Sequence, residues 1–518
     1  METPVEREYF SFGDALFLYF ERDCTPLNIA SVAVFDGVIT REQMRRYVAS
    51  KLPKIPRYMQ KVVFPPLNVG LPSWEFDQDF DIDNHIHQKK LRYGTESELK
   101  TVASHILSRP LDRAHPLWDF TVLSGFESKK TALIARVHHC MADGMSGVGI
   151  LNAVMDTTDK VPRLPKVKKE IPKPPRYAPG SVGIDAALHS WFSTVERMLK
   201  AGSEILATAQ RLTQSPGSEH QNARPSESGP SVQEFARLMP QLGSLPDRLP
   251  FKTLCQGPQN FDWTEVSFEE MRAIKKKTGT TINDVLLALL TSTFRRFALS
   301  LGVELQGRSL RIVVPVNTRR EHEMNALGNH ITFVPVDTPL DIAEMDELLA
   351  AVHERMLSVK SARVAEVVAF AGMLMGALPS PIQATLAPMI ANLNLSLCNT
   401  ICTNVPGPQY PLYLLGHKML RAYPIVPIGG EMGINVAMLT YDGMAYFGFL
   451  GDAKAAPHLA TLPKFLEAAM RELKVAVGIR AEHSRRKRAV RKSAAVPQSP
   501  AAQGAQEAPK AKVAVSAA

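Results

Sequence analysis

A long passage of low complexity, from 160 to 248, divides this chain of 518 residues into two densely patterned stretches. It opens with a Pro- and Lys-rich run over 160–179 and contains a Ser-, Gly-, Pro- and Gln-rich run over Ser215–Ser231. Such compositions are typical of extended linkers, because they bury too little apolar surface to offset the entropy lost on folding. The length also exceeds that of one ordinary hydrophobic core. We therefore expect a first lobe over 1–159, a linker over 160–248, a second lobe over 249–480 and a disordered basic tail over 481–518.

Between its two low-complexity runs the linker carries an amphipathic pattern. Apolar residues from Leu188 to Leu212 fall largely on one face at helical spacing. Two interpretations are open. The helix could lie in a membrane interface as an anchor, or it could pack against its own protein. The second interpretation is favoured, because most amphipathic helices bury their apolar face in this way.

The positive charge is concentrated at one end of the chain. The formal net charge is +9, and eight Lys or Arg residues against two Glu fall within 481–518, so the rest of the chain carries only about +3. A charge confined to one tail argues against a nucleic-acid-binding surface. The basic run Arg485–Arg488 could contact anionic lipid headgroups or could simply solubilise the tail, and both interpretations stay open.

Both patterned stretches mix strand and helix signals, which predicts a fold of the α/β (α+β) class. In the first, the β-prone run Ala30–Phe35 precedes apolar residues at helical spacing over Leu99–Leu107. In the second, we expect a helix over Ile282–Arg296 and buried strands over Arg311–Val316 and Ile331–Val336.

The segment between Val367 and His417 contains no Asp, Glu, Lys or Arg. Pro379 and Pro388 are among the residues that interrupt it, so no apolar run reaches the roughly 20 residues that cross a bilayer. We interpret the segment as buried core, part of which lines an apolar channel or touches a membrane.

The cysteines and the first residues of the chain indicate the cellular compartment in which the protein works. The five cysteines show neither a CxxC pair nor a metal-ligand spacing, which favours a reducing compartment and no metal site. The charged start over 1–8 lacks the apolar core of a secretory signal. We expect a cytoplasmic protein.

The strongest chemical signal is the motif His138-His139-Cys140-Met141-Ala142-Asp143-Gly144, which follows a β-prone run that ends at Val137. A histidine can take a proton from a hydroxyl and return it to a leaving group, because its ordinary pKa lies near neutrality. The glycine after the strand end lets a ligand approach the backbone closely. The alternative is that both histidines are merely polar residues at a loop.

Several further strings accompany this motif in the same order as in one known family. They are Phe10–Leu18, Pro110–Trp118, Asn283-Asp284, Gly328-Asn329, Thr403–Pro408 and the stretch from Gly433 to Asp452. Together they resemble the bacterial wax ester synthase/acyl-CoA:diacylglycerol acyltransferase family over Ser11–Asp452, the linker excepted. The resemblance implies a chloramphenicol acetyltransferase-like fold, in which two lobes enclose a tunnel with the histidine motif at its middle.

The resemblance also implies roles for the motif residues. His139 would be the general base, which deprotonates the acceptor hydroxyl and then reprotonates the departing CoA thiolate. His138 would support the geometry of the motif or the substrate. Asp143 would either orient the base or hold the turn through an ion pair with an arginine, and the superfamily favours the ion pair. Gly144 would leave room for the tunnel. Acyl-CoA would be a co-substrate, and no cofactor or metal would be needed.

Two asparagines are candidate substrate-binding residues. Asn283 could donate a hydrogen bond near the acyl carbonyl or could cap a helix. Asn404 could form tunnel wall or reflect the loop chemistry of Pro406.

The implied substrates are long-chain acyl-CoA and either diacylglycerol or a long-chain alcohol, with peripheral contact to the inner membrane face or to lipid droplets. Competing interpretations are a condensation-domain-like enzyme that uses carrier-bound thioesters and a catalytically silent lipid-binding protein.

Overall fold

The computed structural model describes residues 8–65, 70–141, 154–161, 245–317, 331–361, 364, 378, 380–392 and 397–479. Asp143, Gly144, the Gly328-Asn329 string, the amphipathic stretch Leu188–Leu212 and the basic tail lie outside these residues. The predictions made for them stay predictions.

Both lobes contain strands and helices. The strands are β1 (Glu8–Tyr9), β2 (Asn28–Phe35), β3 (Gln60–Val63), β4 (Ser73–Phe76), β5 (Ile86–Lys90), β6 (Trp118–Phe126), β7 (Lys130–His138), β8 (Gln259–Ser267), β9 (Ser309–Asn317), β10 (Ile331–Pro339), β11 (Thr400–Pro406), β12 (Tyr413–Leu414), β13 (His417–Ile425), β14 (Ile434–Tyr441) and β15 (Met444–Asp452). The α-helices are α1 (Phe12–Phe20), α2 (Arg41–Lys51), α3 (Glu96–Leu107), α4 (Phe268–Thr278), α5 (Ile282–Ser300), α6 (Met345–Ser361), α7 (Ser380–Asn392) and α8 (Leu462–Ala476).

The first lobe is built on a six-stranded sheet in the order β12-β13-β2-β7-β6-β5. Its central strand β7 is buried over nearly its whole length and pairs antiparallel with β2 and β6. Apolar faces of α2 and α3 join the same core, through residues such as Met44 and Leu99. The strand predicted over Ala30–Phe35 and the helical pattern over Leu99–Leu107 are therefore confirmed.

Two strands of this sheet, β12 and β13, come from the second half of the chain. β13 pairs with β2 over six positions and carries the buried side chains of Ala422, Tyr423 and Ile425 into the first core. The sequence-based division places residues 413–425 in the second lobe, and the structure differs there. Pairing between strands that are distant along the chain produces no local sequence pattern. Composition therefore could not predict that β13 joins the sheet of the first lobe.

The second lobe contains a six-stranded sheet in the order β10-β9-β11-β14-β15-β8. The long helix α5 packs on it and is buried along most of its length. Thr281 caps α5 by accepting a hydrogen bond from the Asp284 amide, and the Asp284 side chain accepts one from the Thr281 amide. The predicted helix and both predicted strands of this lobe are confirmed.

Helix α7 belongs to the uncharged segment and is only partly buried. Ala384 and Ala387 are covered, whereas Ile382, Met389 and Ile390 are exposed, and the helix packs against α1. The interpretation of this segment as buried core therefore holds for only one face of α7. In the described part of the chain, no helix combines the length and the apolar character needed to cross a bilayer.

Candidate functional site

The two adjacent histidines are held at the point where β7 ends. The His138 amide donates to the Leu117 carbonyl at 2.9 Å, and the His139 amide donates to the Leu27 carbonyl at 2.9 Å. The backbone of the pair is thus fixed from both flanking sides before the chain turns into a short 3-10 helix over His139–Met141. Because this backbone is already fixed, the two histidines lose little further conformational entropy when a substrate binds.

The imidazole of His139 stacks on the ring of Phe17, with 3.7 Å between ring centroids and 13° between ring planes. The residue keeps some accessible surface, but the atoms packed around the ring desolvate it and lower the pKa of His139 to about 4. Its Nδ1 is buried and has no hydrogen-bond partner among the described residues. At neutral pH this imidazole is therefore uncharged and able to accept a proton.

His138 is fully buried, and its two ring nitrogens face two different groups of the protein. Nδ1 accepts a hydrogen bond from the Cys140 amide at 3.2 Å, and Nε2 lies 3.4 Å from the Glu21 carboxylate. The backbone donor requires a lone pair on Nδ1, so the ring proton resides on Nε2 and faces Glu21. Both ring nitrogens of His138 therefore face protein groups in this arrangement.

Glu21 is a buried carboxylate that connects three segments of the first lobe. It accepts hydrogen bonds from the Leu27 amide at 3.0 Å and from the Arg113 guanidinium at 2.9 Å, besides facing His138. Burial alone would raise the pKa of Glu21, but His138, the Leu27 amide and Arg113 outweigh it and lower the pKa to about 2. The group is therefore ionised throughout the physiological range.

Sequence reasoning missed Glu21, Arg113 and Phe17 as parts of this site. Phe17 and Arg113 lie within strings that were singled out, Phe10–Leu18 and Pro110–Trp118, but nothing local shows that those strings meet behind the histidines. Glu21 directly follows α1, and no pattern marks it. Only the fold brings Glu21 and Arg113 together across 92 positions of sequence.

The neighbouring thiol takes no part in this arrangement. Burial raises the pKa of Cys140 well above its usual range, so the thiol is protonated and a poor nucleophile.

The two candidate asparagines contact each other in the second lobe. The Asn404 side-chain amide donates to the Asn283 side-chain carbonyl at 2.8 Å, which links β11 to the first turn of α5. Thr281 is the cap of α5, so Asn283 does not serve that purpose. Because its carbonyl is occupied by Asn404, Asn283 is left with its Nδ2 hydrogens as donors.

The first turn of α5 is also fixed from the side of α6. The Asp284 carboxylate is buried and contacts Nδ1 of His353 at 2.8 Å, while it accepts from the Thr281 amide at 2.8 Å. This anchoring sets the position of Asn283 relative to β11.

The neutral state of His139 leads to a prediction about pH. Its pKa of about 4 lies below the ordinary value, so a reaction that uses this imidazole as its base should keep a level rate with falling pH until about pH 5 and then decline with an inflection near 4. Initial rates of kcat/KM between pH 4 and 8 measure this, and circular dichroism at each pH separates titration from unfolding. An inflection near 6.5, the value of a solvated histidine, would contradict the burial of this ring.

Comparison with family models places nearly the whole described chain in one family. A model of the wax ester synthase/diacylglycerol acyltransferase catalytic domain matches residues 11–286, and one of the C-terminal domain matches residues 327–474. A putative diacylglycerol O-acyltransferase of Mycobacterium bovis is 28% identical over 469 residues, which cover 90% of this chain and 94% of that protein. One of Mycobacterium tuberculosis is 25% identical over 481 residues, covering 90% of each.

Solved structures show the same fold. The wax ester synthase/diacylglycerol acyltransferase from Marinobacter aquaeolei VT8 aligns with a TM-score of 0.59 at 20% identity over 92% of this chain and 100% of its own. The first condensation domain of the calcium-dependent antibiotic synthetase aligns with a TM-score of 0.55 at 12% identity, over 92% and 98% respectively. The predicted two-lobed, chloramphenicol acetyltransferase-like fold class is confirmed. The chain belongs to the wax ester synthase/diacylglycerol acyltransferase family.

Proposed function

We propose that this protein transfers a long-chain fatty acyl group from acyl-CoA to the hydroxyl of diacylglycerol, and also to that of a long-chain alcohol, with His139 as the general base. The observation that carries the proposal is the neutral imidazole of His139, held on Phe17 at the end of a rigid strand. The names of the mycobacterial relatives support diacylglycerol as an acceptor, and that of the Marinobacter enzyme supports both products.

The proposed reaction needs only one proton carrier. His139 takes the proton of the acceptor hydroxyl while the oxygen attacks the thioester carbonyl, which forms a tetrahedral oxyanion. The oxyanion collapses with cleavage of the carbon–sulfur bond, and the CoA thiolate takes the proton back from His139. The ester and free CoA are the products, and the base is regenerated. The chemistry calls for no cofactor besides the acyl-CoA co-substrate.

We assign the remaining site residues supporting roles. His138, fixed by Glu21 and the Cys140 amide, keeps the adjacent base in place rather than exchanging protons. Asn283 offers its amide hydrogens to the acyl carbonyl, with Asn404 fixing their direction. Asp143 and Gly144 are assigned to the turn of the motif, Asp143 through an ion pair with an arginine and Gly144 as room for the substrate.

The role of the asparagine pair can be tested by reversing its polarity. In Asn404→Asp, a carboxylate faces Asn283, so the Asn283 amide should turn its hydrogens toward Asp and away from the substrate. We expect kcat to fall by roughly a hundredfold, as for loss of one oxyanion donor, with KM for acyl-CoA nearly unchanged. Steady-state kinetics measure this, and Gln409→Glu on the exposed loop after β11 is the control. An unchanged kcat in Asn404→Asp would remove Asn283 from the mechanism.

We also propose peripheral contact with the inner membrane face or lipid droplets, where both acceptors reside. Support comes from α7, which exposes Ile382, Met389 and Ile390 and packs against the helix that carries Phe17. An apolar face beside the catalytic lobe suits uptake of an acceptor from a lipid phase.

The activity is tested by separating the lipid products formed from radiolabelled palmitoyl-CoA by thin-layer chromatography, with diacylglycerol and hexadecanol supplied together. We expect labelled triacylglycerol and labelled wax ester. Use of carrier-bound acyl thioesters in place of acyl-CoA would support the condensation-domain alternative. Lipid binding with no labelled ester would mean a silent homologue and would contradict the proposal.

A further inference from the structure

Three of the five cysteines gather where the turn after α1 meets the segment before β8. Cys24 belongs to that turn, and its thiol lies 3.8 Å from the carbonyl oxygen of Cys255, across 231 positions of sequence. The Cys255 thiol donates to the Met432 carbonyl at 3.5 Å, and the Cys398 thiol lies 3.3 Å from the Met432 sulfur. All five cysteines are unbonded thiols. The chemistry assigned to the histidine pair uses none of these sulfur atoms.

The backbone lets Cys24 and Cys255 approach each other closely. Gly257, two residues after Cys255, has a φ of 66°, and a Cβ at this glycine would lie 3.3 Å from the Cys24 Cβ. The left-handed backbone and the narrow gap both favour a residue without a side chain. The segment that carries Cys255 therefore packs directly on Cys24, and close approach of two cysteine backbones is the condition for a disulfide.

The two thiols differ in their access to solvent. Cys24 is half-buried, whereas the other four cysteines of the chain are buried. Burial, the charge of Asp452 and the nearby Cys24 thiol raise the pKa of Cys255 to about 12. The Cys255 thiol is therefore protonated and reacts slowly with an oxidant by itself. A small oxidant from solvent reaches Cys24 first, with Cys255 behind it as the second thiol.

The turn that carries Cys24 also holds the histidine pair. Glu21 begins this turn and faces Nε2 of His138, and Leu27 ends it and accepts a hydrogen bond from the His139 amide at 2.9 Å. Cys24 lies three residues from each of these two anchors. A displacement of Cys24 is therefore transmitted to both groups that fix the histidines.

A bond between the two sulfur atoms requires such a displacement. In the reduced protein the Cys24 thiol faces the Cys255 carbonyl, and the Cys255 thiol faces the Met432 carbonyl. Both side chains leave these contacts when their sulfur atoms join, and the turn moves with Cys24.

We infer that Cys24 and Cys255 form a peroxide-sensitive switch that lowers the activity of the histidine site. Hydrogen peroxide transfers one oxygen to the Cys24 sulfur, which becomes a sulfenic acid, and its other oxygen leaves as water. The Cys255 sulfur then displaces the hydroxyl of the sulfenic acid, which leaves with the thiol proton as a second water. Two thiols and one hydrogen peroxide thus give one disulfide and two water molecules, and a dithiol reverses the change by exchange.

The regulatory part of this inference rests on the proposed acyl transfer with His139 as the base, whereas formation of the bond does not. The two parts are therefore measured separately.

Mass spectrometry of the full chain tests whether the bond forms. The reduced protein is treated with hydrogen peroxide, its remaining thiols are alkylated, and it is digested without a reductant. We expect two peptides joined through Cys24 and Cys255, with a mass lower by two hydrogen atoms than that of the separate peptides. Cys24→Ser and Cys255→Ser should abolish this product. Cys398→Ala, which removes the third thiol beside Met432, is the control and should retain it.

Initial rates before and after peroxide treatment test the regulation. We expect kcat of the unaltered protein to fall by about tenfold or more on oxidation, because small displacements of a positioned catalytic group are costly. Dithiothreitol should restore the rate. Cys24→Ser should have ordinary activity and should keep it after peroxide treatment. This variant retains every methionine, so methionine oxidation would lower its rate as much as that of the unaltered protein.

The outcomes separate this inference from the proposed function. Absence of the Cys24–Cys255 product would overturn the inference, as would a bond that joins Cys255 to Cys398 instead. Equal losses of activity in Cys24→Ser and the unaltered protein, or an unchanged kcat in the fully bonded protein, would also overturn it. Absence of acyl transfer in the reduced, unaltered protein would overturn the proposed function, and the peptide analysis would still show whether the two thiols join.

Discussion

His139→Ala should lower kcat for acyl transfer to both diacylglycerol and hexadecanol by roughly a thousandfold, the usual contribution of a positioned general base. The adjacent His138 does not replace the lost base, since it is fully buried and faces the Cys140 amide and Glu21. The binding of acyl-CoA should persist, so KM should change little. Rates are measured from the appearance of labelled ester and of free thiol.

The control for this variant is Cys140→Ala, which removes the adjacent buried side chain but no proton carrier. We expect it to retain most of the activity. Circular dichroism should show the same secondary structure for both variants, because the backbone of the motif is held by the Leu117 and Leu27 carbonyls. Full activity in His139→Ala would end the assignment of this residue as the base.

Glu21→Gln should lower the free energy of unfolding by about 2 to 3 kcal/mol at pH 7, because it leaves buried hydrogen-bonding groups without an ionised partner. Arg113 and the Nε2–H of His138 would then face a neutral amide. The rate should fall as well, since His138 is no longer held behind His139. Urea denaturation and initial rates measure the two effects. Glu96→Gln, which breaks a half-exposed pair with Lys100, is the control, and surface pairs of this kind contribute little.

The loss of stability in Glu21→Gln should depend on pH in a defined direction. The pKa of Glu21 is about 2 in the folded protein and lies below its ordinary value of 4.5. Its contribution is therefore complete above about pH 4.5 and disappears as the pH falls toward 2. The difference between the variant and the unaltered protein should shrink over this window. A difference that does not vary with pH would mean that the charge of Glu21 does not stabilise the fold.

Local patterns in the sequence were sufficient to predict the helices and strands named above and to predict that the two histidines follow a strand. The β-prone, apolar run ending at Val137 predicted a buried strand, and the strand ends where the motif begins. The apolar pattern over Ile282–Arg296 predicted α5, which the structure confirms. These features depend on residues that are close together along the chain. The spacing of residue types in the sequence therefore predicts them.

The partners behind the site could not be predicted in the same way. Glu21 and Arg113 meet across 92 positions, and Asn283 and Asn404 across 121. Nothing in the spacing of either pair encodes the contact, because the fold alone sets it. The pKa of His139 likewise depends on the packing of Phe17, a residue that pattern reasoning assigns only to an apolar helix face.

The route of β13 has a consequence for how this chain is made. Without β13 and β12, the strand β2 would be an open sheet edge, with unpaired backbone groups that invite association with other chains. The chain must therefore be synthesised as far as Ile425 before the sheet of the first lobe can be completed. Through most of its synthesis the nascent polypeptide carries an unfinished amino-terminal half, so chaperones that shield exposed edges have a long interval in which to act. For the same reason, residues 1–159 expressed alone would leave the β13-facing edge of β2 unpaired.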